Sequence, residues 1–147
     1  MSSLDVTVAA QRVARFYETL SVEAIADLAS VYAPQARFKD PFNEVQGVAA
    51  IAQIFSHMFE TVAAPRFVIT TTIAAGDQAM LAWDFFLKLR GREIVIRGVT
   101  HLRFDDAGLV LLHRDYWDAA EELYEHVPVL GALMRLLRRR LAAPPPA

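Results

Sequence analysis

The sequence predicts an α+β domain in which three helices pack on one face of a curved mixed sheet. Two observations support this prediction. Apolar residues recur at helical spacing over the first part of the chain, and from Arg66 onward the period changes to two. Helices followed by strands are typical of an α+β layer architecture. At 147 residues, the chain is also long enough to bury one continuous core.

The elements that precede the long strands follow from periodicity and from helix start and stop residues. Capping residues, glycines and prolines mark their ends. The expected elements are, in chain order, a helix over residues 5–20, a helix that Ser21 caps and that runs to Val31 before Pro34, a strand over residues 36–41, and a helix that Gly47 opens and that Pro65 follows.

Four alternating runs then predict an antiparallel meander, because turn residues separate each run from the next. The runs cover residues 66–74, 79–90, 92–104 and 109–117. We expect a first domain over residues 1–128, including a helix over 119–125. A basic amphipathic helical segment follows over residues 129–147, and its proline-rich end is expected to be disordered.

Composition excludes several classes of function. The net charge of -2 gives no field that favours nucleic acid, and the absence of cysteine excludes disulfides and thiolate chemistry. No phosphate loop, dinucleotide fingerprint or metal-ligand spacing of histidines occurs. With no signal peptide and no apolar run long enough to span a membrane, we expect a cytoplasmic protein. We also expect it to use neither a metal nor an organic cofactor.

The last predicted strand carries the most informative pattern. Its alternation places Leu109, Leu111, His113, Asp115 and Trp117 on one face, which is apolar except for the imidazole and the carboxyl group. Two polar neighbours on an apolar face indicate a pocket, because buried polar groups are costly unless they are partnered or used. The alternatives are a satisfied core histidine and, for Asp115, a structural partnership with Arg12 or Arg15.

The whole pattern resembles the NTF2-like superfamily over roughly residues 5–125. The supporting residues are 24–33, Phe38-Lys-Asp-Pro-Phe42, Leu102-Arg-Phe-Asp-Asp-Ala-Gly108 and His113-Arg-Asp-Tyr-Trp-Asp118. Within the superfamily, the chain is similar to the branch of ketosteroid isomerases, limonene-epoxide hydrolases and SnoaL-like cyclases. The resemblance implies a cone that encloses an apolar cavity, and a homodimer paired through the outer sheet face.

The resemblance also assigns residues. Asp40 matches the isomerase base, but the positions of the isomerase oxyanion donors hold Phe16 and Thr100, so efficient ketosteroid isomerisation is not expected. Asp115 matches the last-strand carboxyl group of the hydrolases and cyclases. No arginine lies two residues before Asp84, where the hydrolases require one. The cyclases are therefore the least contradicted analogy.

The leading hypothesis is an enzyme for a small apolar, possibly cyclic substrate. Asp115 would be the acid/base, Asp40 a second carboxyl group and His113 a relay. The expected ligand-binding residues are Phe16, Tyr17, Phe38, Phe55, Trp83, Phe85, Gly98, Thr100 and Trp117.

Two other functions remain open. One is a non-catalytic module that binds a hydrophobic ligand, and the other is a dimeric interaction domain with a filled interior. The arginine-rich segment over residues 129–141 is open as well: it is either a lid or dimer contact, or a basic helix that binds an acidic surface or a membrane.

Overall fold

Helices precede most of the sheet in the chain, as the sequence predicts. The computed structural model describes residues 3–122 and 128–142. The elements of the first 117 residues are α1 (Ser3–Glu18), a 3-10 helix (Glu23–Ser30), β1 (Tyr32–Lys39), β2 (Glu44–Gln46), α2 (Val48–Thr61), β3 (Ala63–Ala75), β4 (Gln78–Leu89), β5 (Arg92–Phe104) and β6 (Val110–Trp117).

The six strands form one curled sheet that does not close. Their order is β2-β1-β6-β5-β4-β3. Strands β3 to β6 form the predicted antiparallel meander, and β1 pairs with β6 in parallel. The prediction of a mixed sheet with helices packed against it is therefore confirmed.

The region around Pro34 differs from the prediction. The second helix is a 3-10 helix that ends at Ser30, although the Ser21 hydroxyl does accept the Ala24 N–H at 3.1 Å. Pro34 lies inside β1, where the pairing with β6 is interrupted between Tyr32 and Arg37. A proline lacks the N–H that a regular strand pair requires, and it is tolerated here because the pairing is interrupted at this position. The three-residue strand β2 was too short to show a period.

A second difference concerns the start of β6. The pairing with β5 shifts next to Arg103 and Phe104, so that β6 carries one extra residue there, a β-bulge. At the bulge, the alternation of inward-facing and outward-facing residues along β6 shifts by one position. As a result Val110 is fully buried, whereas Leu109 and Leu111, which were expected on the inner face, are only partly buried. Beyond the bulge, His113 lies on the inner face as predicted.

The chain divides after Trp117 into two compact units. In the first, α1, the 3-10 helix and α2 contribute to the same buried core as the inner sheet face. Its fully buried side chains include Val6, Val13, Leu28, Ile51 and Leu102.

The second unit contains α3 (Ala119–Glu122) and α4 (Pro128–Leu141). Residues 123–125 of the predicted helix and residues 143–147 of the proline-rich end lie outside the described residues. Among the helices that are described, none has the length and apolar character needed to cross a membrane.

Candidate functional site

The register of three strands, β1, β6 and β5, assembles the polar part of the site. Thr100 of β5 lies opposite Asp115 of β6, and the next inward pair along these strands is Leu102 with His113. On the far side of β6, Phe38 of β1 pairs with His113. Because inward residues occupy every second position, the polar side chains of β5 and β6 lie side by side on the concave face.

Asp115 accepts two hydrogen bonds on one oxygen. The Thr100 hydroxyl donates to Oδ1 at 2.6 Å, and Nε2 of His113 lies 2.7 Å from the same atom. The indole N–H of Trp83 in turn donates to Oγ1 of Thr100 at 2.8 Å. Since the Trp83 indole can only donate, the Thr100 hydroxyl proton is directed to the carboxylate. His113 and Asp115 are therefore in direct contact.

Two tyrosines complete the chain on the other side of His113. The hydroxyl of Tyr32 lies 2.8 Å from Nδ1 of His113, and that of Tyr17 lies 3.3 Å from the same atom. The two hydroxyls are also hydrogen bonded to each other. Burial raises the pKa of both phenols well above its ordinary value, and the negative charge of Asp115 adds to the increase.

The geometry allows an arrangement in which the donors of this chain point toward Asp115. When a tyrosine hydroxyl donates to Nδ1, a neutral His113 ring carries its own proton on Nε2 and donates it to Asp115. Within the described part of the chain, the second carboxylate oxygen, Oδ2, accepts no hydrogen bond.

These groups border a cavity of about 20 Å³, large enough for a water-sized group. Its lining is aromatic and aliphatic except at the Asp115 end. The lining residues are Tyr17, Phe55, Phe67, Ile69, Leu81, Trp83, Thr100, His113 and Asp115. The Asp115 side chain is 17% exposed and that of His113 only 2%, so the carboxylate is the more accessible group of the pair.

Six of the residues expected at the site line this cavity: Tyr17, Phe55, Trp83, Thr100, His113 and Asp115. Five expected ligand-binding residues lie outside the lining. Phe38 stacks on the far side of His113 at 4.5 Å between ring centroids, and Phe85 stacks on Phe67 at 4.3 Å. Each of these two rings therefore stacks on a ring that lines the cavity without lining the cavity itself.

The other three also have structural positions. Phe16 packs edge-on against Tyr17, with 5.9 Å between ring centroids, and Trp117 packs edge-on against Phe42 at 5.5 Å. Gly98 lies beneath the indole of Trp83, and a Cβ at this position would come within 2.4 Å of the ring.

Asp40, the expected second carboxyl group, lies in the turn between β1 and β2. Its Oδ1 accepts the backbone N–H of Phe42 at 2.7 Å and that of Asn43 at 2.6 Å, and the Asn43 side-chain amide lies 3.1 Å from both oxygens. An aspartate that precedes proline is a common turn former, and this one caps its turn. It does not line the cavity, so the structure brings Asp115 together with His113 but not with Asp40.

Phe67, Ile69 and Leu81 were not among the residues expected at the site. Leu81 lies on the predicted apolar face of its strand, but apolar residues of both parities occur near Phe67, so the inward face of β3 was not evident from the sequence. Of the two arginines considered as partners for Asp115, Arg12 has another role: its guanidinium donates to the backbone carbonyl of Gly108.

The chain was compared with known proteins. No curated protein matches its sequence. The solved structures that share the fold include the following three. An NTF2-like protein of unknown function from Burkholderia pseudomallei is 19% identical, with a TM-score of 0.69 over 82% of this chain and 95% of that one. A hypothetical protein from Catenulispora acidiphila with a ketosteroid isomerase-like fold, solved with trimethylamine, is 16% identical, with a TM-score of 0.67 over 83% and 92%.

The third structure is an LEH-like epoxide hydrolase of M. tuberculosis, 16% identical, with a TM-score of 0.68 over 91% of this chain and 98% of that one. At such identities these likenesses establish the fold. The SnoaL-like domain family matches residues 13–113, which span α1 to the His113 position of β6. The structural likenesses and this sequence match agree, and the chain belongs to the SnoaL-like domain family within the NTF2-like superfamily.

Proposed function

We propose that the protein is an enzyme that uses Asp115 as a general acid/base on a small, largely apolar substrate. The supporting observation is the contact of 2.7 Å between His113 and Asp115 at the polar end of an otherwise apolar cavity. A carboxylate held by a histidine in a largely dry site is a typical arrangement for proton transfer. A fold of this kind serves many functions, so the proposal depends on the site and not on the fold.

In this proposal, the two oxygens of Asp115 have different tasks. Oδ1 accepts the hydrogen bonds from Thr100 and His113, which hold the carboxylate in one orientation. Oδ2, which accepts no hydrogen bond from the described residues, would take a proton from the substrate and return it. Tyr32 and Tyr17 would keep Nδ1 of His113 in its acceptor role and so act as positioning residues.

The hydrogen-bond directions also favour some reactions over others. An enolate intermediate needs free donors for its oxygen, and loss of one such donor costs about 2.7–4 kcal/mol of barrier. The Thr100 hydroxyl donates to Asp115 and the Trp83 indole donates to Thr100, so neither is left for a substrate oxygen. Ketosteroid isomerisation is therefore disfavoured, and the proposal is confined to proton transfer by Asp115.

The proposal is tested by turnover in heavy water. A panel of small ketones, epoxides and unsaturated esters is incubated with the protein, and deuterium uptake or product formation is followed by NMR. We expect Asp115→Asn to lower the rate on any active substrate by about 10²–10⁴-fold. Asp84→Asn is the matched control, because Asp84 lies on the same sheet opposite Arg97 and outside the cavity lining. Equal rates for both variants would refute the assignment.

A second candidate function is a module that binds a small ligand without reaction. The observation in its favour is the size of the cavity, about 20 Å³, which leaves room for a small group and little space for a reaction with water. The Catenulispora acidiphila protein was solved in complex with trimethylamine. A co-purified ligand without product would support this candidate.

We further propose a homodimer through the outer sheet face. Met80 pairs with His101 and Val99 with Tyr116, so these four outward residues are adjacent across β4, β5 and β6. Met80, Val99 and Tyr116 are between 37% and 49% exposed. Light scattering after size exclusion should give twice the monomer mass, and Val99→Lys should reduce it to the monomer mass.

A further inference from the structure

We propose that α4 binds to the surface of a membrane that contains anionic lipids, with its axis in the plane of the membrane. This helix belongs to the second compact unit of the chain, and none of its residues lines the cavity. The inference therefore stands apart from the acid/base function. It combines three properties of the helix: an exposed apolar side, a charge of one sign and a short length.

The first property is a broad apolar side. Because an α-helix turns about 100° per residue, the leucines and Val129 of α4 cover an arc of about 140°. Five of their side chains are between 43% and 85% exposed: Val129, Leu133, Leu136, Leu137 and Leu141. Single exposed apolar side chains are common, but a contiguous group of them marks an interaction surface. This arc is also wider than the seam through which two helices pair in a coiled coil.

The second property is the charge. The helix carries Arg135, Arg138, Arg139 and Arg140 and no acidic residue, although the net charge of the whole chain is -2. The first three arginines lie on the side away from the leucines. Arg140 lies within the apolar arc near the end of the helix, where its long stem can bring the guanidinium to the level of the lipid headgroups.

The helix dipole favours cations at a C-terminal end, but it does not account for exposed leucines beside them. A helix with arginines on one side and leucines on the other is typical of segments that lie on anionic bilayers.

The third property is the length. Fourteen residues give a helix of about 21 Å, which is shorter than the hydrocarbon core of a bilayer, about 30 Å. The helix can therefore lie in the interface but not cross it.

A membrane surface also fits α4 better than a second copy of the same helix. Two α4 helices would each bring four positive charges and no negative ones, so they would repel each other. An anionic bilayer satisfies the arginines and the apolar side at the same time.

The first test uses the unmodified full chain and two vesicle preparations at physiological salt. One contains phosphatidylcholine alone, and the other also contains about one third phosphatidylserine. Co-sedimentation should show binding to the anionic vesicles that is at least about tenfold tighter than to the neutral ones. Added sodium chloride should weaken it, because salt screens the attraction. No sedimentation, or equal binding to both preparations, would overturn the inference.

A charge variant then locates the binding surface. Arg139→Gln with Arg140→Gln should weaken binding to the anionic vesicles by about 30-fold, since each arginine near such a surface contributes about fivefold. The matched control, Arg37→Gln with Arg92→Gln, removes the same charge from exposed positions of β1 and β5. Because the attraction falls off within a Debye length, the control should change binding by less than about threefold. Equal losses in both would assign the effect to net charge and overturn the inference.

A fluorescent probe tests whether the apolar side enters the membrane. The chain has no cysteine, so Leu137→Cys and Ala132→Cys each provide a single site for the environment-sensitive fluorophore NBD. Both residues are exposed, Leu137 on the apolar side and Ala132 on the side of the arginines. With anionic vesicles, we expect blue-shifted emission from the probe at residue 137 and an unshifted emission from that at residue 132. The same emission from both would overturn the inference.

Two further measurements distinguish other occupants of α4. Soluble polyglutamate stands for an acidic protein, and it should not displace the protein from the anionic vesicles as effectively as an equal amount of phosphatidylserine vesicles. Leu133→Gln should leave the mass from light scattering unchanged. Displacement by polyglutamate as effective as that by vesicles would assign the helix to an acidic protein, and a fall to the monomer mass would assign it to a second copy. Either result would overturn the inference.

Discussion

The indole of Trp83 occupies the space above the α-carbon of Gly98, its partner in register on the adjacent strand. The approach is so close that a Cβ on residue 98 would lie 2.4 Å from the ring. This contact positions the indole N–H to donate to the Thr100 hydroxyl. Because Thr100 donates in turn to Asp115, the contact also influences the orientation of the Asp115 carboxylate. A glycine inside a strand thus contributes to the polar end of the cavity.

Gly98→Ala should therefore destabilise the protein, because the indole has to move from a packed position. Overpacking of this kind costs about 1–3 kcal/mol, which urea unfolding resolves. Trp83→Phe removes the part of the ring that the new methyl group would strike, so the double variant should lose less than the sum of the two single losses. Additive losses would show that the two positions do not interact.

Tyr32→Phe should be costly despite its small change in volume. The variant leaves Nδ1 of the buried His113 without its 2.8 Å partner. An unsatisfied buried acceptor costs about 1–3 kcal/mol, again measurable by urea unfolding. Tyr116→Phe is the control, because that ring is 49% exposed and should change stability by less than about 0.5 kcal/mol. Equal effects for both would mean that Tyr17 satisfies Nδ1 alone.

The buried tyrosines also predict how stability depends on alkaline pH. The pKa of Tyr17 and that of Tyr32 are raised in the folded protein, so above about pH 10 the unfolded chain releases protons that the folded chain retains. Their contribution to stability is fully present below pH 10 and is lost as the pH rises further, by up to about 1.4 kcal/mol per pH unit for each tyrosine.

Unfolding free energies between pH 8 and 12 measure this slope. Tyr17→Phe should make it shallower, and Tyr116→Phe serves as the exposed control. An unchanged slope in Tyr17→Phe would contradict the assignment of the effect to the buried hydroxyl pair.

Asp40 and Asp105 offer a matched pair for separating turn formation from site chemistry. Each carboxylate accepts backbone N–H groups two or more residues further along, Asp40 from Phe42 and Asn43 and Asp105 from Ala107 and Leu109. We expect Asp40→Ala and Asp105→Ala to lose about 1–2 kcal/mol of stability each, and neither to alter a turnover that depends on Asp115. A selective effect of Asp40→Ala on binding or turnover would restore Asp40 to the site.

The sequence predicted the meander well because inward and outward residues alternate cleanly in β4 and β5. The same alternation placed Thr100, His113 and Asp115 on one face, which is why the polar end of the cavity was anticipated. The alternation is a local property, however. It did not reveal the bulge that moves Val110 inward at the expense of Leu111, since a bulge depends on how two strands pair.

The differences between the expected and the observed lining of the cavity have the same origin. Phe38 and Phe85 were expected to line the cavity because they are aromatic and inward-facing, but they lie behind the His113 and Phe67 rings that do line it. Asp40 was assigned through the resemblance, which fixes its place in the chain and not the direction of its carboxyl group. The hydrogen bond between Tyr32 and His113 joins residues 81 positions apart in the chain. Local sequence patterns carry no information on contacts between residues so far apart.

The parallel pairing of β1 with β6 has a consequence for how the protein folds. It joins residues near position 38 to residues near position 113, and the hydrogen bond from Arg12 to Gly108 closes a still longer loop. Such long closures lose chain entropy before they gain contacts, so they form slowly. Both Tyr17 and Asp115 line the cavity, and they are far apart in the chain. No short segment that folds early can therefore contain both. Ligand binding should therefore appear only in the last phase of refolding, together with the complete first unit.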